Sequence, residues 1–277
     1  MKQKMNKVLS KFSDLRQKDE KALITYIVAG YPDMETSQLI IENLIEHGAD
    51  IIEVGIPFSD PMADGPIIQK AFARALEKNV TPSDCLKMIN SIKAKYKHVP
   101  ILVMAYSNII FSTKGTKFIK AAASCGVDGF IVPDLTFEEA DNYLQMANNL
   151  NLATVFLTAP NTDPKRLAKI ASVSTGFVYM VSVYGITGSR NKFEKYTFDS
   201  IRRTARTTAK MDKPLAVGFG ISSPEDGAKM IEAGADGIII GSSLIKTIME
   251  FSEDKKQMLE SLGSFIEQMK KVCKIPE

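Results

Sequence analysis

The stretch His47-Gly48-Ala49-Asp50-Ile51-Ile52-Glu53-Val54-Gly55-Ile56 holds a helix stop and a strand start side by side. Ahead of it, Thr36-Ser37-Gln38-Leu39-Ile40-Ile41-Glu42-Asn43-Leu44-Ile45-Glu46 has a helical period, and Gly48 is the residue type that ends helices in a left-handed turn. Behind Asp50 comes an apolar, β-branched run, as a buried strand requires. The same phrase returns as Cys125-Gly126-Val127-Asp128 and Ala233-Gly234-Ala235-Asp236, the last ending a helical stretch from Pro224 to Ile231. Each time a helix ends on glycine and a strand opens after aspartate, which reads as a repeating αβ unit.

Working outward, short apolar runs predict strands at Leu23–Ala29, Ile51–Ile56, Ile101–Tyr106, Gly129–Pro133, Ala153–Thr158, Phe177–Val183, Leu215–Phe219 and Gly237–Ile240. The runs are continuous rather than alternating, so both faces of the sheet are covered, as in parallel sheets flanked by helices. Eight strand-helix alternations in 277 residues fit one α/β domain over 1–277, a (β/α)8 TIM barrel. A doubly wound open sheet is the rival. An extra N-terminal helix docks on the body through Val8, Leu9, Phe12 and Leu15. The longest intervals follow strands 2 and 6, and barrels gather functional groups on the loops after strands.

Composition narrows the function. The 45% hydrophobic and 24% charged shares are those of a soluble globular protein. The 35 basic and 32 acidic residues are interspersed, and Arg202-Arg203-Thr204-Ala205-Arg206 reads as a solvated helix face, so no nucleic-acid partner is expected. Cys85, Cys125 and Cys273 are odd in number and widely spaced, which fits a reducing compartment and neither a disulfide framework nor a zinc pattern. The basic N-terminal segment has no apolar h-region, and no run approaches membrane-spanning length. A cytoplasmic enzyme with no membrane contact is the expectation.

The chemistry concentrates in Glu53-Val54-Gly55-Ile56-Pro57-Phe58-Ser59-Asp60-Pro61-Met62-Ala63-Asp64-Gly65-Pro66. An ionised carboxylate is costly out of water, so a glutamate closing a buried run implies that something there uses it. Asp60 and Asp64 follow on a loop stiffened by Pro57, Pro61 and Pro66, which suggests prepositioned acids and bases. A surface loop with acidic decoration is the alternative. Gly218-Phe219-Gly220-Ile221-Ser222-Ser223-Pro224 and Ile240-Gly241-Ser242-Ser243 lie where barrels place a phosphate cup, with Gly185-Ile186-Thr187-Gly188 able to add an amide. Backbone amides and Ser242 Oγ suffice there without lysine.

No strand run contains a lysine, so a Schiff base has no candidate on a strand. His47 and His98, the only histidines, lie away from the strand C-termini, so no metal site is expected. Elimination leaves carboxylates and tyrosines: Glu53, Asp60, Asp64, Asp134, Tyr26, Tyr106 and Tyr179.

The 53–66 stretch, Tyr179-Met180-Val181-Ser182-Val183-Tyr184-Gly185-Ile186-Thr187-Gly188 and the two glycine loops resemble the tryptophan synthase α subunit over essentially the whole chain. The resemblance implies retro-aldol cleavage of indole-3-glycerol phosphate to indole and glyceraldehyde 3-phosphate in L-tryptophan biosynthesis. It implies an αββα heterotetramer in which a β-subunit partner receives indole through a tunnel. No cofactor is implied in this subunit; pyridoxal phosphate is expected only in the β subunit. By motif position, Glu53 is the main acid/base, Asp64 the second catalytic carboxylate, and Tyr179 lies beside the reacting centre. Thr187 contacts Asp64 on loop closure, and Gly188, Gly220, Gly241 and Ser242 hold the phosphate. Tyr26, Met104, Tyr106 and Ile131 occupy pocket positions, while Pro57, Phe58 and Asp60 face the β subunit. Tyr26 stands where phenylalanine is often found, and Val183-Tyr184 replaces more familiar basic or small residues. The competing readings are a barrel isomerase or aldolase on another phosphorylated substrate, a mainly regulatory subunit, and a stand-alone indole-releasing lyase.

Overall fold

The three Gly-X-Asp phrases set the architecture. Gly48, Gly126 and Gly234 each take a left-handed φ, of +112°, +88° and +107°, just past a helix end. The aspartate two residues on then does two jobs at once. Its N–H donates to the carbonyl at the start of the preceding strand, and its carboxylate accepts that residue's N–H. Asp50 grips Leu23 in this way, Asp128 grips Ile101, and Asp236 grips Leu215, with N···Oδ2 distances of 2.8, 2.9 and 3.0 Å. A lysine faces each carboxylate: Lys270 at 2.8 Å from Asp50, Lys93 at 2.8 Å from Asp128, and Lys21 at 3.7 Å from Asp236. A fourth staple was not legible as a phrase: Thr175 Oγ1 accepts the Thr154 N–H at 2.9 Å, and Thr154 O accepts from the Gly176 N–H.

These staples sit at the N-terminal ends of eight parallel strands in the computed structural model, which describes residues 5–111, 117–181, 195–218 and 220–274. The strands are β1 (Ala22–Val28), β2 (Ile51–Gly55), β3 (Ile101–Met104), β4 (Gly129–Ile131), β5 (Ala153–Thr158), β6 (Val178–Val181), β7 (Leu215–Gly218) and β8 (Gly237–Ile240). They pair in chain order and β8 closes on β1, so the expected closed barrel is what forms and the open sheet is not. Around it lie α1 (Lys7–Arg16), α2 (Met34–Glu46), α3 (Pro66–Glu77), α4 (Pro82–Lys95), α5 (Ser107–Phe111) and α6 (Lys117–Ser124). The ring continues with α7 (Asp141–Asn149), α8 (Pro164–Val173), α9 (Lys195–Ala209), α10 (Pro224–Glu232), α11 (Ser242–Glu250) and α12 (Lys255–Val272).

Several strands end earlier than the apolar runs suggest. Ala29, Ile56, Ala105 and Tyr106 lie past the strand ends yet remain buried, and the first three still donate an N–H to the neighbouring strand, so the sequence cannot mark where strand gives way to the βα connection. α1 closes the bottom of the barrel. Asn6 caps it through the Leu9 N–H and reaches the Thr175 carbonyl at 2.9 Å. Val8, Phe12 and Leu15 pack among the inward residues Ala22, Ile24, Ile51, Leu102, Phe177 and Ile239, and the Phe12 and Phe177 rings lie 5.6 Å apart. Leu9, expected on the same face, is only half-buried. The arginine-rich stretch lies on α9 with Arg202, Arg203 and Arg206 exposed.

Lys93 is buried, and its ammonium group bonds Asp128 and the Val99 carbonyl. Asp128→Ala strands that charge and frees the Ile101 amide, so urea unfolding should show a loss of about 3–5 kcal/mol. Lys7, mostly exposed and 3.3 Å from the same carboxylate, should cost less than about 1 kcal/mol when replaced by alanine. Equal costs would contradict the staple account.

Candidate active site

Glu53 is the middle residue of β2, in register with Tyr26 on β1 and Leu102 on β3. Its side chain points into the barrel, is 0% exposed, and neither carboxylate oxygen has a hydrogen-bond partner among the described residues. Loss of hydration disfavours the charged form, and the nearby Asp64 charge adds to the effect, so the carboxyl is pushed up to about 8.

Asp64 arrives from the loop after β2. Its N–H donates to the Pro61 carbonyl at 3.1 Å, and its carbonyl accepts from Gln69 Nε2 at 2.8 Å, which fixes the turn just before α3. Burial raises its carboxyl to about 6, with the hydrogen bond from Tyr106 opposing the rise. Tyr106 Oη donates to Asp64 Oδ2 at 2.7 Å and accepts the Ala63 N–H at 3.0 Å. The Tyr106 ring stacks on Phe58, 5.0 Å between centroids. At neutral pH these environments keep a proton on Glu53 and leave Asp64 an anion. Two carboxyls in one site are thereby given opposite protonation states.

Both open onto a cavity of about 320 Å³, within the range of small-molecule sites. Met104, Ile131, Leu157 and Ile239 form an apolar middle, and Tyr26 and Tyr179 stand beside the carboxyls. Burial and the two carboxylate charges hold both phenols well above the usual tyrosine range, so they stay protonated donors. Gly220, Gly241 and Ser242 line the other pole. α11 starts there with no side chain capping it, so its first amides and its positive dipole end are available to an anion. α10 differs: Ser223 Oγ accepts the Asp226 N–H, and the Asp226 carboxylate accepts from the Ser222 N–H and Oγ. Ser243 Oγ donates to the Ile221 carbonyl at 2.8 Å and ties the two glycine loops together.

Of the residues expected from sequence, Tyr26, Glu53, Asp64, Met104, Ile131, Tyr179, Gly220, Gly241 and Ser242 surround this one cavity. Tyr106 does not line it and reaches the site through Asp64. Thr187 and Gly188, with Val183, Tyr184 and Phe219, lie outside the described residues. Pro57 is buried, Phe58 half-buried and Asp60 exposed, beside a Met62 that is 88% exposed. Asp134 accepts from Ser107 N and Oγ at 2.8 and 2.7 Å, a tie between loops and not part of the cavity. Leu157 and Gln69 were missed, and Gly218 and Ser243 were read only as parts of the glycine loops, without the contacts they make. Gly218 is required because a Cβ there would fall 2.6 Å from the Tyr179 ring, a contact no local pattern announces. Among the described residues, no group of three His, Cys, Asp or Glu side chains could hold a metal ion.

A family model described as tryptophan synthase alpha chain matches residues 12–274. The tryptophan synthase alpha chain of Prochlorococcus marinus is 40% identical over 97% of this chain and 94% of its own length. That of a Thermoanaerobacter species is 41% identical over 97% of this chain and 100% of its own. Among solved structures, Mycobacterium tuberculosis tryptophan synthase matches with a TM-score of 0.87 at 31% identity, covering 99% of this chain and 100% of that one. Legionella pneumophila tryptophan synthase subunit alpha matches with a TM-score of 0.86 at 33% identity, covering 97% and 98%.

Two outcomes follow from the electrostatics. Glu53 is pushed from an ordinary 4.5 up to about 8, so the folded state holds a proton that the unfolded state releases. Stability from this position is therefore lost as pH rises between those values. Glu53→Gln should be more stable than wild type, by a few kcal/mol near about pH 9 and by little near about pH 4, in urea titrations. A pH-independent difference would contradict the assignment. Tyr106→Phe removes the bond that favours ionised Asp64, so an NMR titration of that carboxyl should move above about 6; no movement would refute the Tyr106 role.

Proposed function

Because the chain belongs to the tryptophan synthase alpha chain family, and cleaves indole-3-glycerol phosphate to indole and glyceraldehyde 3-phosphate as a carbon-carbon lyase, we propose that Glu53 and Asp64 divide the proton chemistry of that reaction. The observation that carries this reading is a pair of carboxyls in one cavity whose environments push them to about 8 and about 6.

Breaking the bond between indole C3 and the glycerol chain needs an electron sink, and the indole ring becomes one once protonated at C3. Glu53, holding its proton at neutral pH, delivers it to C3. The resulting cation spreads to the ring nitrogen, where the Asp64 carboxylate stabilises it. Glu53, now a carboxylate, takes the proton from the hydroxyl on the adjoining carbon. The carbon-carbon electron pair returns to the ring, indole regains aromaticity, the aldehyde departs, and Glu53 is protonated again. General acid-base catalysis of this kind supplies roughly 10²–10⁴-fold. Positioning supplies more: Gly188, Gly220, Gly241 and Ser242 hold the phosphate, and Tyr26, Met104, Ile131 and Tyr179 hold the indole and glycerol portions between the poles. Tyr106 keeps the Asp64 carboxylate aimed.

Pro57, Phe58 and Asp60 face a β subunit in an αββα complex, with pyridoxal phosphate in that partner and no cofactor in this chain. The exposed Met62 supports this face. The stacking of Phe58 on Tyr106 gives a route from partner contact to the Asp64 carboxylate. The enzyme works in the cytoplasm.

Glu53→Gln should bind a hydroxyl-free indole alkyl phosphate normally and release no indole, measured with and without a β subunit. Near-normal indole release by this variant would remove the acid/base assignment.

A further inference from the structure

Tyr26 carries a hydroxyl that the fold does not use. The residue is 4% exposed and its Oη has no hydrogen-bond partner among the described residues, a costly state for a buried polar atom. The ring crosses the cavity wall from one pole to the other. A Cβ on Gly241, at the anion pole, would lie 3.1 Å from Tyr26 Cβ and Cδ1. A Cβ on Gly55 would lie 2.3 Å from Oη, so only glycine leaves room for the hydroxyl there. Gly55 is two residues beyond Glu53 on the same inward face of β2. The hydroxyl therefore ends at the carboxyl pole, where both Glu53 oxygens are also unpartnered.

A phenol donor and a carboxylate acceptor, both unsatisfied, are complementary to one ligand group above others: an alcohol, which accepts one hydrogen bond while donating another. We propose that Tyr26 Oη donates a hydrogen bond to the substrate hydroxyl oxygen that becomes the aldehyde oxygen, making Tyr26 a further catalytic residue of this chain. This rests on Glu53 being the base that takes that hydroxyl's proton. As the proton leaves for Glu53, negative charge grows on the oxygen and the Tyr26 bond strengthens with it. The phenol keeps its own proton throughout. In the reverse direction the same bond polarises the aldehyde carbonyl for attack by indole C3.

The test compares wild type and Tyr26→Phe, a change that removes an atom without partners in the ligand-free fold. The readouts are kcat/KM for cleavage, kcat/KM for the reverse condensation, and the Kd of an indole alkyl phosphate lacking chain hydroxyls. The expected result is a loss of about tenfold in both kcat/KM values, with the hydroxyl-free Kd within about twofold. Unchanged kcat/KM would show the hydroxyl idle and overturn the proposal. An equal weakening of the hydroxyl-free ligand would reduce Tyr26 to a pocket wall. A shifted pH profile without a lower plateau would mean that the phenol acts on Glu53 and not on substrate. Failure of the parent reading looks different, since it appears as normal turnover by Glu53→Gln while Tyr26 is intact.

Discussion

A buried carboxyl group without hydrogen-bond partners among the described residues, set inside a ring of parallel strands, is the constraint around which this structure is arranged. Hydration would stabilise Glu53 as an anion, and the strands and cavity walls around it leave its side chain 0% exposed. Below it, α1 fills the barrel mouth with Val8, Phe12 and Leu15. Above it, the cavity is walled by Met104, Ile131, Leu157 and Ile239. The dryness that makes the core cohere is thus the same dryness that keeps a proton available at neutral pH. Fold and reactivity rest on one solvation effect, with opposite signs for stability.

Asp64 shows how the second carboxyl is kept from the same fate. It comes from a loop instead of a strand, stays half-buried, and accepts a hydrogen bond from Tyr106. Those differences separate the two groups, so one is an acid and the other an anion at the same pH. The Tyr106 hydroxyl bridges Asp64 and the Ala63 amide, while its ring rests on Phe58. A displacement of the 57–60 turn therefore acts on the aim of a carboxylate, not only on surface shape.

Much of this was legible in sequence, and the gaps have identifiable causes. Glu53 stood out because a charge in an apolar β-branched run conflicts with its neighbours, and the glycine loops stood out because their spacing follows two strands. The closed barrel was readable from continuous apolar runs separated by helical stretches. Strand ends were not, since Ala105 and Tyr106 are as buried as strand residues while already in the turn. Tyr106 was read as pocket wall because its bond to Asp64 spans 42 positions, and no local pattern encodes it. The tie from Asp134 to Ser107 was hidden for the same reason. Thr175 escaped because a threonine without the preceding glycine phrase performs what aspartate performs elsewhere.

The side-chain staples at the base of the barrel join β1 to β2, β3 to β4, β5 to β6 and β7 to β8. The ring is thus four two-strand modules laid end to end, each carrying its own clasp. A polypeptide opened between β4 and β5 would leave every clasp inside one fragment, whereas an opening between β3 and β4 would divide one. The grain of the architecture runs along those module borders, and duplication, exchange or permutation of segments meets least resistance there.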